Sequence, residues 1–143
     1  MIVDANVLLY AVDDRAAHHG RAVGWLNETL SAGRRLALPW ETIGAFLRIA
    51  THPRVFADPL DPVDAWALVA EWLALEQCWI PQAGRRTAGI LGTLVERHRP
   101  VGKLVPDVQL VALAIEHGVP VVSADADFAR FPEITWVNPL GPR

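Results

Sequence analysis

Hydrophobic positions along the chain fall into two alternating kinds of segment. Short aliphatic or aromatic runs, Ile2-Val3, Leu36-Ala37-Leu38, Cys78-Trp79-Ile80, Val121-Val122-Ser123 and Thr135-Trp136-Val137, predict strands. Between them lie longer stretches whose apolar residues recur three and four apart, which predicts helices. These run from Asn6 to Val12, Ala16 to Ala32, Trp40 to Ala50, Pro62 to Glu76, Arg85 to His98 and Pro106 to His117, with a short turn of helix from Asp125. Breakers sit where the pattern changes: Gly33 and Gly118 as helix stops, Pro39 and Pro81 after strands, and His52-Pro53 after the third helix. Asp61 caps a helix opened by Pro62. The tail from Pro139 to Arg143 is expected to be loose. Strand–helix alternation implies an α/β architecture with right-handed crossovers. A central, mostly parallel sheet of four to five strands would be covered by helices on both faces, as one domain over residues 1–143.

Composition narrows the class. A hydrophobic fraction of 52% argues against disorder. Thirteen basic against sixteen acidic residues, a formal charge of −3, argue against a generic nucleic-acid coat but not against a nuclease, where clustering and bound metal matter more than the sum. The single cysteine, Cys78, allows no intrachain disulfide, and no apolar stretch is long enough to span a bilayer. A strand beginning at residue 2 leaves no room for a signal peptide. The expectation is a soluble cytoplasmic protein that does not bind membranes.

The chemistry lies in acids that this topology would carry to one sheet edge. Asp4 follows the first strand, and Asp125 and Asp127 follow the fourth. Glu41 and Asp107 stand in the first turns of helices, the latter opening the very apolar run Val108 to Ile115. Singly, each has an ordinary explanation: first-turn acids suit the helix dipole, and Asp125 can be a cap. Together they converge on the carboxyl edge, where open α/β sheets place their sites. Clustered carboxylates repel one another, and a hard divalent cation relieves this. Oxygen-only ligands favour Mg²⁺ or Mn²⁺ over zinc, and such ions serve phosphodiester hydrolysis. Asn6 and Ser123 would orient a carboxylate or a water, although Asn6 fits a helix cap equally well.

Asp4-Ala-Asn6-Val-Leu-Leu-Tyr10, His18-His19, Phe46-Leu47-Arg48 through Phe56, Pro106-Asp107 through Ala114, Ser123-Ala-Asp125-Ala-Asp127-Phe128 and Trp136-Val-Asn138-Pro139-Leu140 follow in this order. That succession resembles the PIN-domain family over nearly the whole chain, and within it the VapC-type toxins of bacterial toxin–antitoxin pairs. The resemblance implies a three-layer α/β/α PIN-like fold and a Mg²⁺- or Mn²⁺-dependent endoribonuclease acting on structured RNA such as tRNA or ribosomal RNA. It also implies a VapB-like antitoxin that obstructs the acidic site, and a homodimer, or a heterotetramer or larger assembly with the antitoxin. Carried over, the catalytic acids are Asp4, Glu41, Asp107 and Asp125, and the metal ligands Asp4, Asp107, Asp125 and Asp127. The second acid departs from the pattern. Many relatives place a Glu immediately before Phe-Leu-Arg, where this chain has Ala45. Glu41 lies one helical turn earlier on the same face, about 5.4 Å along the axis.

RNA contact requires local positive charge. Arg48 and Arg54 beside the site, His18, and Arg97, His98, Arg99 and Lys103 are candidates, whereas Arg85 and Arg86 suit a solvated surface better. Trp25, Trp66 and Trp72 suit core or dimer packing, and Cys78 suits packing. Two other functions compete. The shifted Glu41 is compatible with a catalytically weak PIN-like module acting by RNA or protein binding. A phosphotransfer receiver also gathers aspartates, but it needs a lysine after a late strand, and Lys103, the chain's only lysine, precedes a helix.

Overall fold

The computed structural model describes residues 1–141. Five two-residue strands form one sheet: β1 (Ile2–Val3), β2 (Leu36–Ala37), β3 (Cys78–Trp79), β4 (Val121–Val122) and β5 (Trp136–Val137). Their order is β3-β2-β1-β4-β5, and all four pairings are parallel. The strand order reverses at β1, so the crevice beyond the carboxyl ends of β1 and β4 is where an open sheet of this kind takes its ligands.

Alternation along the strands sorts side chains to two faces. Ile2, Ala37 and Val121 turn to one side, where they meet α5 (Arg85–His98) and α6 (Leu104–His117) through Leu94, Val108, Val111 and Leu113, with Phe128 and Phe131 closing the layer. Val3, Leu36, Leu38 and Val122 turn to the other. There they bury Val7 and Leu8 of α1 (Ala5–Val12), Phe46 of α3 (Trp40–Ala50) and Val69 of α4 (Pro62–Leu73). Helix α2 (His19–Ser31) packs on α1 and lends Trp25, Leu26 and Leu30 to the same cluster. The result is the three-layer arrangement expected from strand–helix alternation.

Helix boundaries differ from the sequence expectation in instructive ways. Helix α2 begins at His19 rather than Ala16, because residues 13–19 spend their amides in turns, Ala16 N–H on Asp13 O and His19 N–H on Ala16 O. Helix α4 ends at Leu73, not Glu76. Helix α6 starts at Leu104, with Pro106 inside its first turn, where a missing N–H leaves no bond unmade. Asp61 caps α4 as expected, accepting from Val63 N–H at 2.9 Å. Gly118 ends α6 at φ 63°, a left-handed backbone that favours glycine. The tail is not loose as far as it is described: Leu140 is buried and its carbonyl accepts from Arg21 at 2.8 Å. Residues 142 and 143 lie outside the described residues. Among the described residues no helix is long and apolar enough to cross a membrane.

Candidate functional site

The first acid is placed by the central strand. Asp4 follows β1 directly, and its amide donates to Val122 O at 2.9 Å, which locks the ends of β1 and β4 side by side. Three polar side chains then tie these ends together. Ser123 Oγ donates to Asp4 Oδ2 at 2.7 Å, and Asn6 Nδ2 donates to the same oxygen and to Ser123 Oγ, each at 2.9 Å. Asn6 Oδ1 accepts from Ala124 N–H at 3.1 Å, and Ser123 Oγ accepts from Asp125 N–H at 3.0 Å. Asn6 caps no helix; it cross-links residues 117 and more positions apart in sequence. The fully buried Ser123 is itself held by the Trp136 indole, whose Nε1–H donates to its carbonyl at 2.9 Å.

Asp107 arrives from α6, which descends from this edge to feed β4. Asp125 and Asp127 arrive from the turn after β4, where Asp125 Oδ1 accepts from Asp127 N–H at 2.9 Å. Asp107, Asp125 and Asp127 can each bring an oxygen within 4.8 Å of the others, the spacing of groups that share one ion. Asp4 stands outside this trio, yet its charge reaches Asp107. Burial raises the Asp4 carboxyl above its ordinary range; hydrogen bonds from Ser123 and the Ala5 backbone oppose that rise, and the Asp125 charge adds to it. Asp107 is pushed up to about 7, first by burial, then by the charges of Asp4, Asp125 and Asp127, with Lys103 opposing. These are carboxylates held closer than their charges favour, with donors arranged to fix them. That donor set, all oxygen and electron-rich, fits a hard divalent cation.

Glu41 is not brought into the trio. From the first turn of α3 it lines a cleft of about 230 Å³ with Gln109, Ala112 and Leu113 of α6 and residues 83–91. It makes no hydrogen bond or ion pair with another described residue. The basic candidates also separate. Arg48 lies in the last turn of α3 and Arg54 beyond it, at the end of an 11-residue helix that begins at the acidic edge. Both are exposed, and among the described residues neither makes an ion pair with the acids. Arg97 and His98 are engaged in the fold, both meeting Glu133 Oε1 at 2.8 Å, with His98 edge-on to Phe131. His18 is exposed and rests edge-on to Tyr10. Lys103 is the cation at the site, its Nζ 3.8 Å from Asp127 Oδ2.

The sequence reading gave no role to two tryptophans near the site. Trp136, which entered it only as part of the motif succession, supports Ser123 from β5. Trp40, 58% exposed, stands at the same carboxyl edge beside Glu41. The available signal was its position directly after the proline that closes the second strand.

Comparison with known proteins places the chain by sequence and by fold. The PIN domain family matches residues 1–134. The chain is 40% identical over 140 residues to "Ribonuclease VapC33" of Mycobacterium tuberculosis, covering 98% of each, and 40% identical over 138 residues to "Ribonuclease VapC37" of the same species, covering 96% of each. In fold it is similar to VapBC2 from Rickettsia felis, solved bound to a DNA fragment from their promoter (TM-score 0.68, 14% identity, 96% of each chain). It is also similar to M. tuberculosis VapC20, a Sarcin-Ricin loop cleaving toxin (TM-score 0.60, 17% identity, 94% of this chain and 98% of that one). With its acids gathered beyond a parallel sheet and its similarity running almost end to end, the chain belongs to the PIN-domain family, among the VapC-type members.

Proposed function

We propose that the protein is the toxin of a type II toxin–antitoxin pair, an endoribonuclease that hydrolyses structured RNA, tRNA or ribosomal RNA, with Mg²⁺ or Mn²⁺ as cofactor. The observation that carries this reading is the approach of Asp107, Asp125 and Asp127 to within 4.8 Å, with Asp4 fixed beside them. Asp107, Asp125 and Asp127 would hold the ion, with Asp4 completing the acidic set. When bound, such an ion activates water and neutralises charge developing on the phosphate oxygens. Asn6 and Ser123 hold Asp4 in one orientation, so no reorganisation is needed when substrate arrives. Lys103 supplies a mobile positive charge at the rim, and the exposed Arg48, Arg54 and His18 would meet the RNA backbone farther out. The VapBC complexes among the solved neighbours support a VapB-like antitoxin as partner, with a toxin homodimer as the unit and a heterotetramer or larger assembly around it. Work in the cytoplasm would suit that chemistry.

The test is cleavage of total cellular RNA by purified protein with Mg²⁺, Mn²⁺ or EDTA, beside Asp4→Ala. Discrete fragments that need metal and vanish in the variant are expected. No cleavage in either metal by a folded parent would leave the binding-module reading in its place. Ser123→Ala should lower cleavage about tenfold, because it strips Asp4 of a donor and leaves Asn6 Nδ2 and the Asp125 amide without their shared acceptor. An unchanged rate would show that Asp4 needs no such support.

The ion should also stabilise the fold, more at high pH than at low. Without metal, the folded state keeps a proton on Asp107 up to pH about 7, while the unfolded chain loses it near the ordinary value of 3.8. The folded state therefore binds more protons across that window, and stability falls as pH rises from about 4 to 7. Solvent screening at this half-exposed group limits the loss to about 1–2 kcal/mol. Metal binds the ionised form, so millimolar Mn²⁺ should raise the thermal midpoint by several degrees at pH 8 and by less at pH 5. Thermal unfolding at both pH values checks this; an equal rise at each would contradict it.

A further inference from the structure

Beside the acids the carboxyl edge carries a second cleft, about 490 Å³, lined by Trp40, Glu41, Ile80, Pro81, Gln82 and Ala83. Its volume falls in the roughly 300–1,000 Å³ range of sites for small organic groups. The register places it close to the reaction. Ile2 pairs with Ala37, so Asp4 lies level with Pro39, and Trp40 begins the helix immediately after. Adjacent strands lie about 4.8 Å apart, so a cleft over the ends of β2 and β3 sits roughly 5–10 Å to the side of Asp4.

The groups that line it are unspent. Trp40 is 58% exposed at the first position of α3, whereas Trp72 and Trp25 of this chain are drawn into the core. Among the described residues its indole N–H has no partner, and neither does the half-buried Glu41 carboxylate or the Gln82 side-chain amide; Gln82 contributes only its carbonyl, to His117. Each flat base has a face that stacks on an indole. A carboxylate offers two acceptor oxygens and no donor, which matches an edge with two adjacent N–H groups. Among the RNA bases only guanine presents that pair, N1–H beside the N2 amine. A carboxylate would repel backbone phosphate, so the cleft suits a base turned inward and not the strand's backbone.

We propose that this cleft is a nucleobase subsite that takes an unpaired guanine flanking the cleaved bond, stacked on Trp40 and read by Glu41. The proposal deepens the ribonuclease reading and rests on it. It gives Glu41 a role in choosing the substrate, consistent with its position outside the aspartate trio.

The test uses uridine-rich single-stranded oligoribonucleotides carrying one guanine, inosine or adenine. Binding is measured by fluorescence anisotropy with Asp107→Asn protein in EDTA, where turnover is slowest, and cleavage with the otherwise native chain in Mn²⁺. Guanine should be favoured over inosine, which lacks the N2 amine, by about five- to tenfold, and over adenine by more. Trp40→Ala should weaken binding and cleavage of the guanine oligonucleotide about 5- to 100-fold, and Trp40→Phe should largely restore them. Glu41→Gln should erase the guanine–inosine difference while the metal-dependent rise in thermal midpoint persists. Anisotropy reads the subsite even if no oligonucleotide is cut, so failure of the nuclease reading and failure of the subsite are told apart. The proposal is overturned if Trp40→Ala binds as the parent does, or if the parent shows no base preference. It is equally overturned if Glu41→Gln loses cleavage of every oligonucleotide together with the metal shift, which would make Glu41 a metal ligand. A Trp40→Ala protein that keeps RNA binding but loses its antitoxin would make the cleft a protein contact instead.

Discussion

Asp107→Asn is expected to lower RNA cleavage by about 10²- to 10³-fold while raising the thermal midpoint of the metal-free protein. Both effects have one cause. Burial first, and then the charges of Asp4, Asp125 and Asp127, push Asp107 up to about 7. An amide of the same shape removes that repulsion, so the metal-free fold gains about 1 kcal/mol at neutral pH, after allowance for screening at a half-exposed site. The same exchange removes a ligand from the carboxylate trio and weakens the electrostatic stabilisation on which hydrolysis depends. The gain in midpoint should be present at pH 8 and absent near pH 4, where the native carboxyl is already protonated. Parallel thermal unfolding and RNA cleavage of parent and variant check it. Loss of activity with a lower midpoint at every pH would show that Asp107 serves the fold and not a site held against its own charge.

Phe46→Ala is expected to cost about 3–5 kcal/mol of stability, enough to lower the midpoint by roughly 10 °C or more. Phe46 is fully buried and meets the Trp72 ring edge-on, with centroids 5.1 Å apart, so one side chain joins α3 and α4 to the sheet. An alanine leaves a cavity that neighbouring strands and helices cannot fill by small shifts. The consequence reaches the site through α3, because Thr42 of that helix donates to Val3 O at 2.7 Å, at the residue before Asp4. Trp66→Ala, on the exposed face of α4, should change stability by less than about 1 kcal/mol. Denaturant unfolding of the two variants makes the comparison. A small effect at Phe46 would mean that α3 is anchored elsewhere.

Phe46 also shows what a motif does and does not carry. Phe-Leu-Arg marks the family in the sequence; its aromatic residue packs in the core, on the face that helical spacing gives it, and its Arg48 is exposed. The helix pattern around it was legible because Ile43, Phe46 and Ala50 recur at helical spacing and all are buried. The direction in which Glu41 faces was not legible. An i−4 relation to Ala45 shows a shared helix face, not what lies opposite, and α6 places Gln109, Ala112 and Leu113 there. The cations behaved in the same way. Arg97 and His98 look available in sequence, but Glu133 lies 35 and more positions away and takes both. Lys103 precedes a helix, as the sequence indicates, but only the fold shows that its ammonium lies 3.8 Å from Asp127.

What the sequence determined by itself was the architecture and the convergence of the acids. Short apolar runs and period-3.6 patterns report burial directly, and a strand–helix alternation admits few topologies, all of which carry strand-end residues to one edge. What only the tertiary structure decided was which of those residues touch. Asp4 is fixed by Asn6 and Ser123, Asp107 joins Asp125 and Asp127, and Glu41 lines the clefts beside them, one against α6 and one beside Trp40. Differences of a few ångströms separate a ligand from a bystander, and they are set by how α3 and α6 pack on the sheet, through contacts between residues far apart in the chain that no local pattern records.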